Sequence, residues 1–327
     1  MCKIQDKGVG GFLLDWSAVI AVILSIMFFS FYTGASFLSP ANLTNILRSM
    51  SITTILAVAM TVTLACDGFD MSACTLASCS GYVFMVCYLW YGMSLLLSAA
   101  VCVVFTMTAY LLTLFLILVC RIPDMLATCA LMFIHQGLGQ WFTGGGAISA
   151  GMRLPGGAVP KRMSFETDFV AIGQAPWIIL IMFACVLLAH IFLQHTKQGT
   201  FLYAIGSNKT AAALSGIPVE RYRFLAGMIT AVFIAVGAMV VCSRNTAAQL
   251  CGCDNYLMPS LAAVFVGRSV GGREKPTALG TVLGAGLIVI LENGLTLCAV
   301  PYYILPAVKG GVLAAALAAV YLPKRAG

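Results

Sequence analysis

Long apolar runs separated by short polar connections dominate the chain. Ten of these runs consist mostly of Leu, Val, Ala, Ile and Met. Because one α-helical crossing of the roughly 30 Å hydrocarbon core of a bilayer takes about 20 apolar residues, each run predicts a membrane-spanning helix. The predicted spans are residues 16–38, 47–65, 73–91, 93–119, 125–142, 177–194, 225–243, 257–267, 277–298 and 302–322. The pattern therefore predicts an all-α, polytopic membrane protein of about ten transmembrane helices.

Three of the runs carry additional expectations. The eighth, 257–267, is short for a full crossing, and the fourth, 93–119, is long, so we expect broken, tilted or re-entrant segments there. No signal-peptide cleavage site follows the first run, so residues 16–38 are predicted to be a retained span.

Composition supports a membrane protein. Hydrophobic residues make up 61% of the chain and charged residues 9%, whereas about a quarter of the residues in soluble domains are charged. The net charge of +7 comes from basic residues scattered between apolar runs, which argues against a nucleic-acid-binding face. Most of the 13 cysteines lie inside apolar runs, where they act as small hydrophobic side chains. The close pair Cys251 and Cys253 has a poor spacing for a disulfide or a zinc site.

The distribution of Lys and Arg predicts the orientation. With a cytoplasmic N-terminus, twelve of these residues lie inside and five outside, while Lys309 falls within the last predicted span. Cytoplasmic loops carry the excess of positive charge, so both termini are predicted to be cytoplasmic. Residues 143–176 then form the largest external loop and 195–224 the largest internal one. Neither is long enough for a soluble domain, so residues 1–327 are predicted to form a single transmembrane domain.

The internal loop contains a predicted short helix. The run Lys209-Thr-Ala-Ala-Ala-Leu-Ser-Gly216 has helix-favouring alanines, a glycine suited to a C-cap, and then Ile217-Pro218, which stops the helix. Small residues on such a helix permit close approach of another protein, and an ordinary polar connector is the alternative interpretation. The loop holds no catalytic set of residues.

At this loop the chain resembles a known family. The segment YAIGSNKTAAALSGI, 203–217, resembles the coupling-loop signature of permease subunits in bacterial ABC importers of the ribose and arabinose type. Three further segments agree in order, at 67–81, 126–149 and 261–300, so the resemblance covers roughly residues 40–322. Two departures concern the pairing with the ATPase: Lys209-Thr210 replaces the usual acidic pair, and Arg273, Lys275 and Pro276 interrupt the glycine-rich turn.

The resemblance implies a transporter subunit rather than an enzyme. The internal loop would dock into a separate ATP-binding subunit, present as two copies or as a fused double cassette. The implied docking residues are Lys209, Ala211, Ala212, Ala213, Gly216 and Ile217. Further implied partners are a periplasmic sugar-binding protein facing the external loop and a second permease subunit, identical or homologous, in the bacterial inner membrane. The solute would be a pentose, a hexose or a related furanose. The chain has no G-x-x-x-x-G-K-[ST] motif, so nucleotide would bind to the other subunit, and no cofactor or metal site is expected here.

Polar residues inside or near the predicted spans are candidates for the solute pathway. Asp67, Gly68 and Asp70 follow the second span and predict either a broken-helix hinge or a plain loop with solvated carboxylates. His135 and Gln136 either face the pathway or pack between helices.

Two charges lie about 10 Å below the predicted outer surface, Glu292 and Lys309. They are predicted to pair, which would either hold two helices together or line the pathway. Asn293, Asn255 and Gln249 are weaker candidates for contacts with a sugar.

Two other classes of function are alternatives to this one. In an ion-gradient-driven transporter or channel, Asp67, Asp70 or Glu292 would form the ion site. A membrane-embedded enzyme is the weakest alternative, because no predicted span holds His, Asp, Glu or Cys at the spacing of a catalytic triad or metal site. His190 and His195, at a spacing of i, i+5, do not form a metal site.

Overall fold

The computed structural model describes residues 16–152, 159–268, 275–301, 303–308, 310–311 and 314. Helices dominate these residues, and the regular strands among them are a short antiparallel pair, β1 (Ile148–Ser149) and β2 (Ala247–Ala248). The α-helices are α1 (Ser17–Thr33), α2 (Pro40–Leu64), α3 (Ala73–Met85), α4 (Leu95–Leu114), α5 (Asp124–Thr143), α6 (Thr167–Ile172), α7 (Trp177–His195), α8 (Lys197–Ser207), α9 (Lys209–Leu214), α10 (Val219–Asn245), α11 (Leu257–Arg268) and α12 (Ala278–Leu297). This confirms the predicted all-α class.

Seven helical segments of the described residues are long and apolar enough to cross a membrane. They are Ala18–Ser36, Pro40–Leu64, Ala73–Trp90, Leu95–Val119, Trp177–His195, Val219–Asn245 and Ala278–Leu297. The chain is therefore a polytopic membrane protein, as predicted.

Two further predicted spans do not reach this criterion. Helix α11 has 12 residues, about 18 Å of helix, which is too short for a full crossing. Helix α5 has 20 residues but carries His135, Gln136 and Gln140, which lower its hydropathy. The tenth predicted span, 302–322, lies mostly outside the described residues. The number ten thus stays a prediction.

The long fourth span is continuous. Helix α4 runs directly into a π-helical segment, Phe115–Val119, so the extra length ends in a widened last turn and not in a break. Helix α3 ends in the same way at Val86–Trp90.

A tight turn joins α2 to α3. The N–H of Asp67 donates to the carbonyl of Leu64 (3.2 Å) and the N–H of Gly68 to that of Thr63 (3.0 Å), the two bonds of a Schellman motif. Asp67 occupies the left-handed position, with φ +59°. The chain therefore reverses within a few residues at the end of α2.

The centre of the protein is built around α2. Its residues 51–63 are all buried, and they pack in one hydrophobic core with side chains of α3, α4, α7, α10 and α12. The peripheral helices expose large apolar side chains, such as Phe31 (93% exposed) and Leu96 (84%). A surface of exposed apolar side chains suits contact with lipid tails, which are themselves apolar.

Helices α11 and α12 approach each other through glycines. A Cβ atom added to Gly284 would lie 2.0 Å from the carbonyl oxygen of Ala263, and one added to Gly267 would lie 2.4 Å from the backbone of Gly280. No larger residue fits at this contact. Small residues at membrane-helix contacts allow such close packing.

The predicted external loop 143–176 is partly folded into the protein. Strand β1 pairs with β2, which joins this loop to the connection after α10. In α6, Phe169 is fully buried and stacks on Phe84 and Tyr88, with ring centroids 5.9 and 4.7 Å apart. The loop is therefore held to the membrane helices at both ends of this segment.

Candidate functional site

A polar cavity of about 450 Å³ lies between α2, the α10–α11 connection, α11 and α12. Its described polar lining consists of Ser49, Thr53, Asn245, Gln249, Asn255, Tyr256, Glu292, Asn293 and Thr296. The cavity brings together the predicted candidates Glu292 and Asn293 and the weaker candidates Gln249 and Asn255. Such volumes are typical of small-molecule sites.

Three carboxamides of the cavity wall have free hydrogen-bonding groups. Asn245, Gln249 and Asn255 are exposed, and their side chains make no hydrogen bond to any other described residue. A carboxamide offers two donors and an acceptor. These three side chains therefore match the needs of a hydroxyl-rich solute.

Asn293 has a different role from its neighbours in the wall. It forms a reciprocal amide pair with Asn42, in which each Nδ2 donates to the other Oδ1, at 3.0 and 2.9 Å. The pair ties α12 to the start of α2. Asn42 is a residue that the sequence reasoning missed, because it lies in a connection just before the predicted second span. Lys309 lies outside the described residues, so its pairing with Glu292 stays a prediction.

Ser49, Thr53 and Thr296 are cavity residues that sequence reasoning missed, and each lies at a helical spacing from another polar residue of the wall. Ser49 and Thr53 are spaced i, i+4, and Glu292, Asn293 and Thr296 fall on one face of α12. A search for polar residues at helical spacing within apolar runs would have identified the polar faces of both α2 and α12.

The connection before α11 is held by a separate polar cluster. The carboxylate of Asp254 accepts hydrogen bonds from the hydroxyl of Ser78 (3.0 Å) and from the amide of Gln136 (2.7 Å). The N–H of Cys253 also donates to the Ser78 hydroxyl (3.0 Å). Gln136 therefore anchors this connection and does not line the cavity.

His135 is also absent from the cavity lining. It is 5% exposed, and the Cys79 thiol donates to its backbone carbonyl at 2.9 Å. For His135 and Gln136 the structure favours packing between helices over the pathway interpretation.

Asp67, Gly68 and Asp70 lie together in the α2–α3 turn but differ in environment. Asp67 is exposed, whereas Asp70 is 4% exposed. The carboxylate of Asp70 accepts hydrogen bonds from the N–H and hydroxyl of Ser72 (both 2.8 Å) and from the hydroxyl of Tyr110 (2.9 Å). Burial raises the pKa of Asp70, and these hydrogen bonds oppose the shift. The expectation of solvated carboxylates holds for Asp67 and is wrong for Asp70.

A small cavity of about 30 Å³ borders Asp70. It has room for a water molecule. Asp124, at the start of α5, and Arg223, in α10, form an ion pair in its wall, with 19% and 11% of their side chains exposed. Sequence reasoning missed this pair, whose partners are 99 residues apart in the chain.

The predicted surface helix exists as α9. The side chain of Asn208 caps it by accepting from the N–H of Ala211 (2.9 Å). Gly216 has φ +81°, and the N–H of Ile217 donates to the carbonyl of Ala212 (3.1 Å). The predicted start and the predicted glycine cap are both confirmed.

Fewer of the predicted docking residues of α9 are exposed than expected. Ala212 is 5% exposed and belongs to the main hydrophobic core, so it is not an exposed docking residue. Ile217 is half-buried. The predicted docking residues that are exposed are Lys209, Ala211, Ala213 and Gly216. Leu214, which sequence reasoning missed, is 86% exposed. Leu214 thus offers an apolar side chain on the outer face of α9.

Helix α8, which was not predicted, seats the loop on the membrane helices. A Cβ atom at Gly206 would lie 2.3 Å from the carbonyl oxygen of Ala65, at the α2–α3 turn. The hydroxyl of Tyr203 donates to the carbonyl of Pro276 (2.8 Å), just before α12. The loop therefore contacts both the α2–α3 turn and the residues just before α12, the helix that carries Glu292.

These features define a class of protein: a polytopic helical membrane protein with a polar cavity among apolar helices and a surface loop packed against them, as membrane transport proteins have. The chain belongs to the family described as "Branched-chain amino acid transport system / permease component", whose model matches residues 42–321. It is thus a permease component, a subunit of a transporter rather than an enzyme.

Named relatives cover nearly the whole chain. It is 29% identical to the ribose import permease protein RbsC of Haemophilus influenzae over 320 residues, 96% of this chain and 95% of the relative. Identity to RbsC of Escherichia coli strain K12 is 26% over 304 residues, 92% of each chain. Identity to the xylose transport system permease protein XylH of the same strain is 24% over 361 residues, 94% of this chain and 92% of the relative. No solved structure matches the chain.

Proposed function

We propose that this chain is the permease subunit of an ATP-driven importer that carries a neutral sugar of the pentose class across the bacterial inner membrane. The observation that carries the proposal is the polar cavity, whose wall offers three carboxamides without a hydrogen-bond partner among the described residues, in an otherwise apolar protein. The printed names of the relatives mention ribose and xylose, and this agrees with a sugar as the solute.

The cavity chemistry fits a sugar better than the branched-chain amino acid of the family description. An amino acid zwitterion needs a cation or a group of N–H donors for its carboxylate and, when its side chain is branched and aliphatic, an apolar pocket. The described lining has one charged group, Glu292, and includes no Lys or Arg. Its aliphatic residues are few: Pro259, Val289 and Leu305. Amides and hydroxyls dominate, and they are suited to hydroxyl groups.

Within the membrane we propose ten segments with both termini in the cytoplasm. In this arrangement the seven long helices cross fully, and α11 crosses together with the connection held by Asp254. The surface with α8 and α9 faces the cytoplasm. A membrane-impermeant thiol reagent on intact spheroplasts should modify Ser164→Cys and leave Ser207→Cys unmodified in a cysteine-light background. The reverse pattern would contradict the orientation.

The proposed partners follow from the two surfaces. Helix α9, with exposed Leu214, docks to the ATP-binding subunit on the cytoplasmic side. A sugar-binding protein delivers solute to the opposite side, and a second permease subunit, identical or homologous, completes the pathway.

An ion-gradient-driven transporter is the alternative. Its ion site would have to be one of the three carboxylates considered. Asp67 is exposed at a turn and Asp70 is held by Ser72 and Tyr110, away from the polar cavity. Glu292 is therefore the residue on which that alternative rests.

Reconstitution separates these functions. The permease, its ATP-binding subunit and its binding protein are placed in proteoliposomes and tested with labelled ribose, xylose and leucine. We expect uptake of a pentose that requires ATP and both partners. Leucine uptake without pentose uptake would overturn the sugar assignment. Uptake by the permease alone, driven by a proton or sodium gradient, would overturn the ATP-driven mechanism.

A further inference from the structure

A second large cavity lies beside the surface helix α9. It is a groove of about 590 Å³ between α9, the first turns of α10 and the connection from α4 to α5. Its floor is apolar and includes Ile117, Leu118 and Ile122. Lys209, Thr210 and Ala213 form the wall on the side of α9. We call this cavity the α9 groove.

The α9 groove carries an excess of positive charge. Arg121 and Lys209 are exposed on its walls, and neither forms an ion pair with another described residue. Arg223 is balanced by Asp124. The remaining acid, Glu220, is exposed in the wall as well, so three basic residues face two acidic ones and the net charge of the lining is +1. The groove is thus complementary to an acidic group flanked by apolar side chains.

The base of the α9 groove adjoins the small cavity that borders Asp70. Asp124 and Arg223 line both the groove and this small cavity. A side chain placed in the groove would contact this ion pair on one side. Asp70 and Tyr110 lie on its other side, next to the α2–α3 turn.

We propose that the α9 groove receives an acidic segment of the ATP-binding subunit. This inference rests on the proposed function, in which α9 docks to that subunit. Helix α9 then makes contact in two directions: Leu214 projects outward to the partner, and the partner inserts a carboxylate between Arg121 and Lys209. The groove is continuous with the docking helix through Lys209 and Ala213, and its net positive charge favours an acidic segment over a basic one. The inserted segment contacts the Asp124–Arg223 pair, so docking is transmitted to the turn that holds Asp70.

A pair of charge-reversal variants tests the inference in the complex with the purified ATP-binding subunit. Arg121→Glu combined with Lys209→Glu should weaken binding about tenfold at low salt, because two like-charge contacts replace two attractive ones. The matched control is Lys197→Glu with Arg221→Glu, which makes the same charge change at exposed positions of the same loop, outside the groove. The control should weaken binding less than threefold, about the effect of long-range charge alone.

A photocrosslinking residue at Thr210, in the groove wall, gives a direct readout. We expect it to crosslink to a peptide of the ATP-binding subunit that contains Asp or Glu. Crosslinking to phospholipid alone would overturn the inference and make a lipid the occupant. Equal weakening by both double variants would also overturn it. If the unaltered permease does not bind the ATP-binding subunit at all, the proposed function itself fails, which is a distinguishable result.

Discussion

The polar cavity and the region beneath the surface loop place polar groups in opposite ways. In the cavity, Asn245, Gln249 and Asn255 have no hydrogen-bond partner among the described residues. Beneath the loop, Asp70 is paired with Tyr110, and Asp124 with Arg223. Unsatisfied buried polar groups are costly, so free groups persist only where water or a solute can reach them. The polar groups of the cavity are therefore suited to forming and breaking hydrogen bonds with water or a solute. The polar groups beneath the loop are suited to holding that region rigid.

The two regions also differ in how tightly backbones meet. Beneath the loop, Gly206 lies directly against the carbonyl of Ala65, a contact that no side chain can enter. The cavity, by contrast, keeps about 450 Å³ open between helices. A rigid contact transmits movement, whereas an open cavity accommodates a solute. Variants in the two regions should therefore have different kinds of effect.

The largest expected effect comes from filling the contact beneath the loop. Gly206→Ala should destabilise the protein by about 1–3 kcal/mol and abolish transport, because the new methyl group meets backbone that cannot move aside. Thermal unfolding in detergent and uptake in proteoliposomes measure the two effects. Gly137→Ala is the matched control, since a Cβ there meets no atom within 4 Å and the helix gains up to about 1 kcal/mol. Equal behaviour of the two variants would contradict the rigid contact.

Breaking the ion pair should have the next largest effect. Arg223→Met leaves the mostly buried Asp124 carboxylate unpaired and should cost about 2 kcal/mol, between the values for exposed and fully buried pairs. Asp124→Leu alone should also destabilise, while the double variant should cost less than the sum of the two. Additive losses in unfolding free energy would show that the two charges act independently.

Shortening the exposed leucine of α9 should weaken the partner contact without affecting the fold. Leu214→Ala should reduce affinity for the ATP-binding subunit by about 1–2 kcal/mol, roughly tenfold, as expected for an interface anchor. Its unfolding temperature should not change, because the side chain is 86% exposed in the isolated subunit. Lys209→Ala is the comparison: an exposed ion pair contributes about 0–1 kcal/mol. An equal loss for both would argue against an apolar anchor.

The smallest expected effect comes from shortening an amide side chain of the cavity wall, and two such side chains should differ in what they change. Gln249→Ala should raise the KM for pentose uptake about two- to tenfold with unchanged stability, the loss of one hydrogen bond to solute. Asn293→Ala should instead lower stability, because Asn42 loses its partner. If both variants change only stability, the cavity does not bind the solute.

Local chemistry made part of the fold predictable. The start and cap of α9 depend on Asn208, the alanine run and Gly216, which are neighbours in the chain. The apolar runs predicted the long helices because burial of a backbone in lipid demands internal hydrogen bonds over about 20 residues. Glu292 and Asn293 were identified because polar residues within an apolar run need a reason to be there.

What the sequence by itself determined is the class of protein, the positions of its long helices, the surface helix α9 and four residues of the cavity wall. Tertiary structure alone decided that Ala212 points inward, that Gln136 pairs with Asp254 and that Asp124 meets Arg223. The partners of each pair are about a hundred residues or more apart along the chain. Short-range propensity carries no information on such contacts, since they depend on how whole helices pack, and packing is set by the shapes of all the helices together.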